Sequence, residues 1–234
     1  MKNTKKMRRL LTGAVLAGVV ALTAMPAQAH TGFSNRLRFF DSDTGSAQWQ
    51  YNRVDSPLDA DASRIKLAVA EQDGDDYALA FANGTQVRNR LAGTVRNLSF
   101  DFLTTTYVGN GAPRISVDLD MDGDNDYDLS AFLAAFHCQE AIPSSTWGRA
   151  DFTGRTTAGC SIFVGAETFT SDGVSSAWAL FAAAHPTAKV LDAYVVMDEV
   201  GQSFIDRVAF QNHMFTRGAN NASGIKHCPN EASC

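Results

Sequence analysis

Beyond its first 29 residues the sequence has no long apolar run, no cluster of lysine and arginine, no tandem repeat and no Cys-x-x-Cys pair. Without a second apolar run of about 20 residues, nothing is left to cross a bilayer as a helix, so no membrane insertion is expected. Without a basic stretch, an acidic chain is a poor partner for nucleic acid or for an anionic membrane surface. The missing repeat argues against a propeller. The missing Cys-x-x-Cys pattern argues against a zinc ribbon, a redox pair or a c-type haem. Neither Gly-x-Ser-x-Gly nor His-Glu-x-x-His is present, so no hydrolase nucleophile or zinc-protease helix can be assigned. Carboxylates are plentiful, but sequence alone does not pair them as acid and base. These absences leave non-catalytic binding as the expectation.

What is present begins with an export signal. Lys2, Lys5, Lys6, Arg8 and Arg9 precede the apolar run Leu10 to Ala24, and Ala27-Gln28-Ala29 has the small-x-small form of a cleavage site. The expectation is a secreted, extracellular protein. Cleavage after Ala29 would leave 205 of the 234 residues and remove five of the 20 basic ones, so that 15 basic groups face 25 acidic ones, a balance of −10. That length suits one sandwich or barrel over residues 30–216, followed by a polar tail, 217–234. Four cysteines in an exported chain predict two disulfides. Three pairings exist; Cys138–Cys160 with Cys228–Cys234 is preferred because each pair brackets one local segment.

The densest chemistry lies mid-chain, in Asp118-Leu-Asp120-Met-Asp122-Gly123-Asp124-Asn125-Asp126-Tyr127-Asp128. Six aspartates with no lysine or arginine among them repel one another and need either full solvation or a cation. Asp118, Asp120 and Asp122 alternate, so an extended chain places them on one side, and Gly123 lets the backbone turn. Asp126 completes a D-x-D-x-D-G-x-x-D order, hard oxygen ligands for a hard ion. Leu129 stands where an EF-hand carries its bidentate Glu, and the flanks alternate as strands do, so the expected structure is a strand–loop–strand calcium hairpin. Asp118, Asp120, Asp122 and Asp126 would offer side-chain oxygens and Asp124 its backbone carbonyl, to a structural Ca2+.

Alternating or apolar segments at 36–40, 47–51, 64–70, 77–81, 98–102, 114–119, 161–164, 189–197 and 203–210 read as strands. The segment 129–136 is ambiguous between strand and helix. Asn83-Gly84 is a hairpin signal, and the acidic turn 71–76 reads as a hairpin tip. Ser175 to Pro186 is the one helix: Ser175 or Ser176 caps it, Pro186 stops it, and Trp178, Phe181 and Ala182 share the face that docks on a sheet. Many short strands predict an all-β, antiparallel sandwich.

The acidic mid-chain loop, the helix before Pro186 and the closing strand Ser203-Phe-Ile-Asp206-Arg207-Val208-Ala-Phe210 together resemble secreted bacterial jelly-roll domains of the carbohydrate-binding-module and galactose-binding-like type. That resemblance implies a jelly roll, a structural calcium and sugar contacts from exposed aromatics. The aromatic candidates are Trp49, Tyr51, Tyr107 and Trp147, each a flat apolar platform for a sugar ring on an extracellular glycan or surface polymer. The alternative starts from His30. Cleavage after Ala29 would make it the first residue, and its amine and imidazole could chelate copper with His137, His185 or His213, as in secreted polysaccharide monooxygenases.

Overall fold

The computed structural model describes residues 37–42, 44–50, 64–71, 76–82, 87–106, 111–138, 146–156, 159–211, 213–217 and 223–227. These residues build two antiparallel sheets and one α-helix. The eight-stranded first sheet runs β1 (Leu37–Asp41), β4 (Ala78–Ala82), β12 (Lys189–Met197), β7 (Arg114–Asp120), β8 (Leu129–Ala134), β10 (Ser161–Val164) and β11 (Glu167–Thr170), and the short β5 (Arg90–Leu91) also pairs with β12. The second sheet runs β15 (Ser223–His227), β14 (His213–Arg217), β13 (Gly201–Phe210), β3 (Arg64–Val69) and β2 (Gly45–Gln50); β6 (Ser99–Thr106) joins β13, and β9 (Gly148–Asp151) joins β6. The all-β sandwich expected from the strand pattern is the observed architecture.

Period-two alternation decides which side chains enter the core. On β7, Ile115, Val117 and Leu119 are fully buried; on β3, so are Ile65 and Leu67; on β12, Ala193, Val195 and Met197. They belong to one apolar cluster drawn from both sheets, with Phe100, Phe152 and Phe210 among its largest members. The helix α1 (Ala177–Ala184) covers one end of it. Ser176 is its N-cap, accepting from the Ala179 amide at 3.2 Å. Trp178 and Phe181 are buried on the predicted face, and the Trp178 indole N–H donates to the Ala92 carbonyl at 2.9 Å. The disulfide Cys138–Cys160 is formed; Cys228 and Cys234 lie outside the described residues.

Turn chemistry is where the sequence expectations need correction. Residues 72–75 of the acidic turn expected as a hairpin tip lie outside the described residues; the strands before and after it, β3 and β4, belong to different sheets and do not pair. Asn83-Gly84 lies outside the described residues; the strands on either side of it, β4 and β5, both pair with β12. Local turn propensity reports that the chain bends, and burial of the next strand's apolar face decides which sheet it enters. The connection from β1 to β2 also changes sheets, and Gly45 makes it fit: a Cβ there would stand 2.0 Å from the Tyr77 carbonyl oxygen. The polar tail 217–234 contributes β15, paired with β14 from His213↔His227 to Arg217↔Ser223.

Candidate metal centre

The acidic loop is the tip of the hairpin joining β7 to β8, the hairpin that register places next to β12. Leu119↔Leu129 and Asp118↔Ser130 are its last paired positions. The inward residues Leu119 and Leu129 anchor the hairpin to the core, and the aspartates therefore fall on the opposite, outer face. The amide of Asp128 donates to the Leu119 carbonyl at 3.0 Å and closes the loop.

Inside the loop Asp120 is the hub. It is fully buried, and its two oxygens accept from the amides of Gly123 at 2.5 Å and Asn125 at 3.0 Å. The Lys189 ammonium lies 3.5 Å from it and also donates to the Gly123 carbonyl and the Asn125 side chain, both at 3.1 Å. Burial pushes the Asp120 carboxyl up, but the two amides and the Lys189 charge outweigh that and hold it below its ordinary value. Asp122 accepts from the Asp124 amide at 3.2 Å, Asp124 from the Asp126 amide at 2.8 Å, and Asp128 from the Met121 amide at 2.6 Å. These side-chain-to-backbone turns preorganise the loop. Gly123 has φ of +94° and Asn125 +70°, left-handed conformations for which Gly and Asn are the best suited residues.

Of the five aspartates expected to hold an ion, the structure gathers three. Asp120, Asp122 and Asp124 place carboxylate oxygens all within 4.8 Å of one another. That span is about twice a Ca–O bond, so one cation could touch all three. The donor set is carboxylate only, which suits a hard cation and not a soft one. Asp118 turns the other way, to the Ser130 hydroxyl at 2.8 Å and the Tyr194 hydroxyl at 3.4 Å, and Asp126 is exposed further along the loop. Lys189, a cation brought in from the neighbouring strand, was not legible in the acidic stretch itself. The register Lys189↔Asp120 is what delivers it.

Beside the loop, on the same outer face, Asp192 of β12 stands opposite Asp118 at a register shift. Burial pushes the Asp192 carboxyl up to about 6; the Ala193 amide and Arg88 oppose the rise and the Asp118 charge adds to it. Burial also raises Asp118, against the hydroxyls of Ser130 and Tyr194. Tyr194 is raised too, by burial and then by the Asp118 charge.

Of the aromatics expected from sequence, Trp49 and Trp147 fall within the described residues. Trp49 packs its ring edge-on to Phe39 at 6.0 Å and lies against the core. Trp147, half-buried, precedes β9. Tyr51, Tyr107 and His30 lie outside the described residues. His137 packs on Phe163 at 5.0 Å and His185 lies 3.3 Å from Glu167 at the end of α1. No family model, no curated protein and no solved structure matches the chain.

Proposed function

We propose that the protein is an exported, non-catalytic binding module, stabilised by calcium at the β7–β8 hairpin, whose ligand is a carbohydrate. The observation that carries the calcium reading is the set of three carboxylate oxygens from Asp120, Asp122 and Asp124 within 4.8 Å. A bound ion would supply the positive charge that Lys189 alone does not, since one ammonium faces six aspartates in the stretch 118–128. Asp120, Asp122 and Asp124 would hold it, and the hairpin's outer end would be fixed relative to β12. An ion that binds only the folded state stabilises it by mass action, about 2.7 kcal/mol at a hundred-fold excess over Kd.

The carbohydrate reading is supported by Phe132 on the outer face of the first sheet, an aromatic ring 42 % exposed, with Ser130 and Asp118 on the next paired positions. Pull-down on immobilised polysaccharides, with calcium and with chelator, tests it. Retention that weakens with chelator is expected. A folded, calcium-loaded protein that no polysaccharide retains contradicts it.

A further inference from the structure

We propose that the outer face of the second sheet carries an oxyanion-binding site, in which Arg207 and Arg149 take a carboxylate, sulfate or phosphate group. The site is independent of the calcium hairpin and of the carbohydrate reading, which both concern the first sheet. It begins with Asp101 of β6. Phe100 and Phe102 enter the core, so Asp101 between them points outward, yet it is only 1 % exposed. Each of its oxygens holds one guanidinium. Arg149 Nη1 donates to Oδ1 at 3.1 Å, and Arg207 Nε donates to Oδ2. Arg149 Nη2 donates to the Ser99 hydroxyl at 2.9 Å. Register delivers Arg149, because Asp101 pairs with it on β9.

Arg207 arrives by a different route. Between Asp206↔Asp101 and Ala209↔Ser99, β13 advances three residues while β6 advances two, which is a bulge. Arg207 sits in that bulge with φ of +42°, a left-handed conformation better suited to Gly or Asn. A bulge re-aims a side chain, and backbone strain of this kind collects at sites where a side chain must stand in one place. Neutralising Asp101 does not require it, since Arg149 already supplies one positive charge to one carboxylate.

The second guanidinium adds donors. Arg207 commits only its Nε, and Arg149 only its two Nη atoms. Arg207 Nη1 and Nη2 and Arg149 Nε meet no acceptor among the described residues. The Arg207 side chain is 23 % exposed and that of Arg149 32 %, so these N–H groups reach solvent. The neighbouring carboxylates are turned to backbone. Asp206 accepts from the Arg207 amide at 2.8 Å, and Asp151 from the amides of Thr153 and Gly154 at 3.1 and 2.8 Å. Arg64, also on this face, lies over the Phe204 ring and donates to Gln50, so it is not part of the site. A guanidinium held by a buried carboxylate has lost its rotamer freedom before any ligand arrives. Its planar fork then matches a carboxylate or phosphate with two parallel bonds.

The experiment is thermal melting and calorimetry of the full-length mature protein in metal-free buffer, titrated with sodium phosphate, sulfate or acetate. Sodium chloride at matched ionic strength is the control. Wild type is compared with Arg207→Lys and Arg207→Gly. Expected is a saturable rise in melting temperature with at least one oxyanion, beyond any rise in chloride. Phosphate and sulfate against acetate distinguish a tetrahedral group from a planar one, and saturation by either supports the site. Arg207→Lys keeps a charge beside Asp101 without the fork, so it should weaken binding about ten-fold or more while melting like wild type in chloride. Arg207→Gly suits the left-handed backbone and should lose binding as well. Oxyanions that act no differently from chloride overturn the proposal. Saturable binding that survives both variants overturns the assignment to Arg207. A wild type without oxyanion binding whose Arg207→Gly variant melts lower makes Arg207 a structural partner of Asp101, and that too overturns the proposal. None of these results touches the calcium or the carbohydrate reading.

Discussion

Single residues in this sandwich carry charge in places that burial makes costly, and each is answered by a named partner. Asp101, 1 % exposed, accepts from Arg149 at 3.1 Å and from Arg207, so two guanidiniums neutralise one buried carboxylate on the second sheet. Asp192 is answered less well. Its carboxyl, pushed up to about 6 from 3.8, stays protonated in the folded chain at a pH where the unfolded chain has already released the proton. A folded-state pKa above the unfolded one means that folding takes up a proton in this window. Stability contributed by Asp192 is therefore full below pH 3.8 and is lost as pH rises through about 6, by at most about 3 kcal/mol. Urea unfolding between those pH values, in chelator, should show that decline in wild type and a flatter profile in Asp192→Asn. An unchanged slope in the variant would show that the titrating group lies elsewhere. None of this was legible in sequence, where Asp192 sits in an ordinary strand pattern; its neighbour Asp118 is 74 positions away and meets it only through register.

At the scale of elements, the helix and the longer strands were legible because local chemistry and tertiary packing agree. Ser176 caps, alanines propagate, and Trp178 and Phe181 face inward. Replacing Ser176 by Ala removes the acceptor for the Ala179 amide and should cost about 1 kcal/mol, read as a lower urea midpoint with unchanged slope. A midpoint equal to wild type would mean that another group satisfies the helix's first turn. Among the strands missed by sequence, β11 (Glu-Thr-Phe-Thr) and β14 (His-Met-Phe-Thr-Arg) carry β-branched and aromatic residues in runs too short to stand out, whereas β9 lacks them. β9 is Gly-Arg-Ala-Asp, paired with β6, and its alternating burial comes from the inward Gly148 and Ala150, a pattern invisible to hydropathy because small residues carry it. β15 reads as a polar tail and is a strand because β14 offers it an open edge. The acidic hairpin was legible as a loop with a turn at Gly123, yet the three oxygens that converge are those of Asp120, Asp122 and Asp124. A regular alternation would have started the set at Asp118, but the strand continues to Asp120 and hands Asp118 to Ser130 and Tyr194.

The whole molecule gathers two kinds of restraint around its core. Cys138–Cys160 closes a loop over a separation of 22 residues, which in the chain-entropy account stabilises by about 3 kcal/mol. Cys138→Ser with Cys160→Ser should lower stability by that order in chemical unfolding while leaving the far-ultraviolet spectrum intact; an equally stable double variant would show that the local segment is already fixed by packing. The second restraint is the acidic hairpin, and it carries the central claim. The most direct measurement is thermal unfolding of the mature protein and of Asp122→Asn with Asp124→Asn, each in millimolar calcium and in chelator. Asn keeps the oxygen that accepts the loop amide in each case and removes the charge. Calcium should raise the melting temperature of the wild type by several degrees and leave the double variant unmoved. Wild-type melting curves that coincide with and without calcium would contradict the account, and would leave Lys189 as the cation around which this loop is built.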